Sequence, residues 1–236
     1  MATDLQKVKS TAKALLFLEP QKTPMSPIVV KHPFTDSGIV GIKDETGVIK
    51  IIDILTTQEN LKLWRKQVGD FIDRAKSVTE IFYIVTNSYK MGFLKYTKPY
   101  FDKEEFADLL AHAWINTESP NNDPNISKKE MLALFKAADP AAFMDQQELS
   151  RLAKLPDIVT VYRGVTSHNA NDIRMLSWTL DYKVANWFAH RFKENGAVYR
   201  ASISKKHIVA LFEGRNESEV IIDPKYLKNI EMIKAP

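Results

Sequence analysis

The segment "EGRNESEVIID", residues 213–223, places two acids, Glu217 and Glu219, at the mouth of the apolar run Val220-Ile221-Ile222. Side chains of a strand alternate with period two, so the pattern predicts a strand with both carboxylates on one face. Like charges so placed repel each other, and a fold normally avoids the arrangement. Two further residues belong to the same C-terminal stretch. Arg163 closes the β-like run of "VTVYRG", where a guanidinium fork can clamp a diphosphate and Gly164 permits close backbone approach. Ser177 opens "SWTLDYKVANWFA", which reads as a strand running into a helix. Each residue also has a plainer reading: a solvated arginine, a serine of ordinary sheet, and acids on an exposed edge strand.

The elements that must position these residues are legible from periodicity and punctuation. Residues 1–37 carry Pro20, Pro24, Pro27 and Pro33, which predicts an irregular arm. "GIVGIKDETGVIKIIDIL" (38–55) predicts a hairpin about "KDETG". From 56 to 153 the signals are helical. Capping-box spacing recurs at Thr56 with Glu59, Ser77 with Glu80, Asp102 with Glu105, Ser127 with Glu130 and Asp145 with Glu148. Apolar residues follow at helical intervals, as in Leu61, Trp64, Val68, Phe71 and Ile72, so about five helices are expected, with a loop at "ESPNNDPN" (118–125). Past Pro156 the texture becomes short β-like runs: "DIVTVYRG", "MLSWT", "AVYRASI", "HIVALF", "SEVII" and "NIEMIKA". One helical pattern, 181–192, interrupts them. The organisation expected is therefore an arm and hairpin over 1–55, a helical region over 56–153 and an α+β core over 154–236.

Composition allows this. The chain has 236 residues, 44% hydrophobic and 26% charged, ordinary for a globular protein with a proper core. A net charge of +4 is compatible with an anionic ligand. With no cysteine, disulfides, thiolate metal sites and cysteine nucleophiles are excluded. His168, His190 and His207 lack metal-ligand spacing. "TAKALLFLEP" (11–20) ends in Glu19 and Pro20 and is no secretory signal, and no run reaches the ~20 apolar residues of a membrane span. A soluble, cytoplasmic protein without membrane partners is the expectation.

"YRG", "SWT" and "ESE", in that order and in those contexts, resemble the R-S-E class of mono-ADP-ribosyltransferases. That family carries an Arg on its first core strand, a Ser-Thr-Ser-type strand and a Glu-x-Glu on a later strand. The Ala185-to-Ala189 stretch is similar to the Ala-x-x-Phe-Ala helix that follows the family's middle strand. The resemblance covers about residues 156–234. One motif departs from it, since Ser177-Trp178-Thr179 keeps only the leading serine. The fold implied is a split β-sandwich preceded by a helical region.

The resemblance implies that NAD+ is the substrate, cleaved at its nicotinamide–ribose bond, with ADP-ribose passing to a protein side chain such as arginine or to a nucleic acid. Glu219 would bind the ribose 2′-hydroxyl and stabilise an oxocarbenium-like sugar, a demand akin to glycoside cleavage. Glu217 would orient or deprotonate the acceptor. Ser177 would position Glu219 and contact the ribose, and Arg163 would hold the phosphates. Gly164, Trp178, Thr179 and Arg191 complete the expected NAD+-binding set, and the loop at Arg215 and Asn216 would touch the acceptor. No metal is required. Trp178, Trp187 and Phe188 also read as core residues. Such enzymes act as toxins, phage effectors or defence proteins, with an antitoxin or inhibitor protein as a counterpart.

Three other readings compete. An NAD glycohydrolase would use water as the acceptor. A catalytically inactive binding module of the same fold would lack Arg163, Ser177 or Glu219, all present here. A plain nucleic-acid binder would carry a basic block, whereas the "KK" pairs at 128–129 and 205–206 are isolated. The sister class with His and Tyr motifs is disfavoured, because no His opens the first core strand.

Overall fold

The computed structural model describes residues 2–24, 26–117, 123, 125–167, 173–191 and 195–233. His168 and most of the loop expected at 118–125 lie outside them. The described chain is mixed helix and strand, and it separates into two compact units, Met1–Leu109 with Asn116–Asn125, and Leu110–Ile115 with Ile126–Pro236.

The first unit opens with helix α1 (Leu5–Leu16), capped by Asp4, whose carboxylate accepts from the Lys7 amide. This corrects the irregular arm expected over 1–37. The prolines begin only at Pro20, and ahead of them Val8, Ala12 and Leu16 recur at helical spacing and are fully buried. Past Pro20, β1 (Gln21–Thr23), β2 (Ser26–His32) and β3 (Thr35–Ser37) form a small antiparallel sheet. β4 (Ile39–Lys43) and β5 (Ile49–Asp53) are the expected hairpin, with Gly47 supplying positive φ in its turn. Four helices follow: α2 (Gln58–Arg74), α3 (Val78–Ile84), α4 (Lys90–Thr97) and α5 (Lys103–Asn116), the last ending across both units. Ser77 and Asp102 cap as read from sequence, while α2 is capped by Thr57 rather than Thr56. Helix α4 was not foreseen, because it starts from a 3₁₀ turn with no capping side chain.

Buried His32 ties the small sheet to this helical core. Its ring meets Trp64 edge-on at 5.0 Å. Nε2 donates to the Leu18 carbonyl (3.1 Å) and Nδ1 accepts from the Phe34 amide (3.1 Å), so the neutral ring satisfies both partners. Burial pulls its pKa down to about 4 from 6.5. The unfolded ring therefore binds a proton that the folded one refuses. The associated stability is complete above pH 6.5 and is lost as pH falls toward 4. A shift of that size corresponds to about 3 kcal/mol. Urea midpoints measured from pH 7.5 to 4.5 are expected to fall with acid in the wild type, and His32→Gln is expected to flatten the dependence.

The second unit holds the C-terminal residues of interest. α6 (Lys128–Ala137) and α8 (Gln146–Lys154) begin with complete capping boxes at Ser127 and Asp145, and α7 (Pro140–Phe143) is a single turn capped by Asp139. Then come β6 (Ile158–Val165), β7 (Ser177–Thr179), α9 (Tyr182–His190), β8 (Ala197–Ser204), β9 (Ile208–Phe212), β10 (Glu219–Ile222) and β11 (Lys228–Ile233). All six β-like runs read after Pro156 are strands. They lie in the order β11-β8-β6-β7-β10-β9, every neighbour antiparallel. The sheet is uneven. β6 and β8 pair over eight residues, whereas β6 and β7 meet at one pair, Tyr162 with Thr179. Two three-stranded halves are thus joined at a single rung.

Candidate functional site

The joint lies beside the residues singled out from sequence. Arg163 follows the last residue that β6 shares with β7, and its Nη1 donates to the Ser177 carbonyl at 2.6 Å. Ser177 pairs with Ile221 on β10, so its hydroxyl reaches diagonally to Glu219 and donates to Oε1. Glu219 pairs with Thr179 on one side and Phe212 on the other. Its second oxygen, Oε2, accepts from Trp114 Nε1 at 3.1 Å. Arg163, Ser177 and Glu219, distant in sequence, therefore form one hydrogen-bonded chain.

Trp114 was not singled out from sequence. It sits in the last turns of α5, fully buried, edge-on to Phe135 at 5.2 Å. Phe135, Phe143 and Phe212 pack on one another and extend this aromatic wall. The usable signal was the indole N–H, since a Trp on a buried helical face needs an acceptor for its one polar atom. Glu219 is 7% exposed, and burial drives its pKa upward. The donors Ser177 and Trp114 oppose that shift, the Glu217 charge adds to it, and Arg215 opposes it. A carboxylate has roughly four acceptor positions, so two donors leave it able to take a substrate hydroxyl.

The acidic pair departs from the expectation of two carboxylates on one strand face. β10 begins at Glu219, and Glu217 stands in the turn before it. The period of two fails because Ser218 has φ 44° and Asn216 φ 55°, left-handed conformations that strain non-glycine residues. The turn is anchored by its backbone: Thr179 Oγ1 donates to the Glu217 carbonyl (2.6 Å) and the Leu180 amide to that of Ser218 (3.0 Å). Glu217 still lies close enough to bear on the Glu219 charge, and it forms an ion pair with Arg215 at 3.3 Å. Asn216 shapes the turn, its amide donating to the Glu213 carbonyl at 2.7 Å.

Other expected binders have different duties. A Cβ at Gly164 would lie 2.0 Å from the Ala185 carbonyl and 2.6 Å from the Ala189 nitrogen. This glycine admits helix α9 to the strand. Trp178, expected to line NAD+, is 2% exposed and donates its indole N–H to the Met175 carbonyl. It alternates away from Ser177 and Thr179 and belongs to the core. Thr179 is buried and holds the turn. Arg191 follows α9, its guanidinium 5.2 Å from the Phe188 ring centroid. Trp187 corrects the core reading in the other direction: it is exposed, edge-on to Phe188. His190 bonds within α9 to the Asn186 carbonyl, and His207 stacks on Tyr226.

Among the described residues, no group of three or more His, Asp or Glu is placed to hold a metal ion, and no helix is long and apolar enough to cross a membrane. No family model matches the chain, and neither a curated protein nor a solved structure is similar to it.

Proposed function

We propose that the protein is a mono-ADP-ribosyltransferase that cleaves NAD+ and passes ADP-ribose to a guanidinium acceptor. One observation carries this reading: the hydrogen-bonded chain Arg163–Ser177–Glu219. Its members come from three adjacent strands in the order that the R-S-E resemblance requires. The near-split of the sheet at the Tyr162–Thr179 rung supports a split-sandwich reading of the fold.

In this reaction the bond between C1′ of the ribose and the nicotinamide nitrogen breaks. Its electron pair leaves with neutral nicotinamide, and the sugar becomes cationic. Glu219, held from both oxygens, keeps negative charge at that cation and accepts from the ribose 2′-hydroxyl. Glu219 is buried beside the aromatic wall, so its charge acts in a medium of low dielectric. Arg163 contributes positive charge for the diphosphate. The acceptor nitrogen then bonds to C1′ and its proton passes to Glu217. The Arg215–Glu217 pair favours a guanidinium acceptor, because that carboxylate already receives one from its own turn.

The test uses labelled NAD+ and cell lysate, followed by protease or ribonuclease. Protease is expected to remove the macromolecular label. Removal by ribonuclease would replace arginine with RNA as the acceptor, and nicotinamide release without label would make the enzyme a glycohydrolase. Glu217→Gln sharpens the assignment. Transfer is expected to collapse while hydrolysis by water persists in part, and an equal loss of both would remove Glu217 from the acceptor side.

A further inference from the structure

Helix α8 grips the turn that carries Glu217. Glu148 and Arg151 are three residues apart and share a helix face. Glu148 is 7% exposed and uses both oxygens: Oε2 accepts from the Asp145 amide (3.0 Å), closing the capping box, and Oε1 accepts from the Glu213 amide (2.8 Å). Arg151 forms an ion pair with Glu213 and donates from Nη1 to Ser218 Oγ at 3.1 Å. The Ser218 hydroxyl in turn reaches Glu213 Oε2 at 3.3 Å. Both ends of the turn are thus tied to each other and to one helix, with Arg215, Asn216 and Glu217 between them.

We infer that Arg151 is a positioning residue that sets how NAD+ cleavage divides between transfer and hydrolysis, by holding the 213–218 turn in the conformation that presents Glu217. This rests on the transferase reading proposed above. A turn with Asn216 and Ser218 in left-handed conformations does not keep that shape unaided. Its anchors on the sheet, at the Glu217 and Ser218 carbonyls, fix the exit of the turn, whereas α8 fixes its entry and spans both ends. The Glu219 side chain takes its bonds from Ser177 and Trp114, neither of which belongs to α8. Loosening the clamp therefore misplaces the acceptor group more than the group beside the sugar cation, and small misplacements of catalytic groups are costly.

Two measurements test this on Arg151→Ala and Arg151→Lys. In hydrogen exchange without NAD+, the amides of 213–218 are expected to exchange several-fold faster in Arg151→Ala, with Arg151→Lys between it and wild type. With labelled NAD+ and lysate, the ratio of labelled acceptor to released nicotinamide is expected to fall on the order of 10-fold in Arg151→Ala. The Arg151 side chain is half-exposed, so its truncation leaves the core intact. Unchanged exchange would overturn the clamp while leaving the transferase reading in place. Faster exchange with an unchanged ratio would overturn the role in partition. A wild-type protein that releases no nicotinamide would overturn both the transferase reading and the partition role.

Discussion

Glu219→Gln is expected to slow nicotinamide release on the order of 100-fold and to leave the fold as stable as before or more so. The two effects share one cause. Removing a group that stabilises transition-state charge typically costs ~3 kcal/mol. That same charge is costly in the ground state, because burial raises the Glu219 pKa above its ordinary value of 4.5. A carboxylic acid with a raised folded pKa contributes stability that is fully present below the unfolded pKa. That contribution is lost as pH rises through the folded pKa. In its ionised form Glu219 therefore works against folding. Glutamine keeps the shape and lacks the charge. Its carbonyl can accept from Trp114, and the Ser177 hydroxyl can turn to accept from its amide. Denaturation midpoints of the two proteins should coincide in acid and separate toward neutrality, with the variant the more stable. A variant that loses stability at neutral pH would show that Glu219 is a structural carboxylate, and full retention of nicotinamide release would remove it from the catalytic role.

Gly164→Ala is the second large expected effect, and it acts through packing alone. The added methyl would meet backbone atoms of α9 on two sides, at 2.0 and 2.6 Å, and the Phe188 Cβ at 2.9 Å. Backbone cannot rotate aside, so the helix must lift from β6. Overpacking of this kind costs about 1–3 kcal/mol or more. At a few degrees per kcal/mol for a chain of this size, Tm should fall roughly 5–10 °C. Gly214→Ala is the internal control, because its methyl would only touch the Ile115 side chain at 3.6 Å. Equal Tm values for the two variants would show that α9 does not rest on Gly164 as described.

The sequence made the second unit largely legible for a simple reason. Its strands are short apolar runs between clear breakers, and Ser127 and Asp145 announce their helices with complete capping boxes. What local pattern could not carry was context. Nothing in "ESEVII" says that Ser218 turns left-handed, so the Glu217–Glu219 spacing read as one strand face when it is a turn followed by a strand. Gly164 and the small residues Ala185 and Ala189 were seen separately, and only their packing shows why each is small. Trp114 lay 105 residues from its partner, a distance over which periodicity gives no signal. Helix α1 ends before the first proline, Pro20, and a proline's breaking signal says nothing about the turns that precede it.

The strand order also sets a timetable. β10, which carries Glu219, is followed by only one other described strand, yet it sits between β7 and β9, which both precede it. Its partner Trp114 is made far earlier. β6 and β8 can zip together before β10 exists, and the acid beside the aromatic wall follows them in the chain. Contacts between residues so far apart in sequence form late and slow folding. A growing chain therefore carries Arg163 and Ser177 for some time without the carboxylate that completes them. The proposed site is therefore completed by a long-range closure.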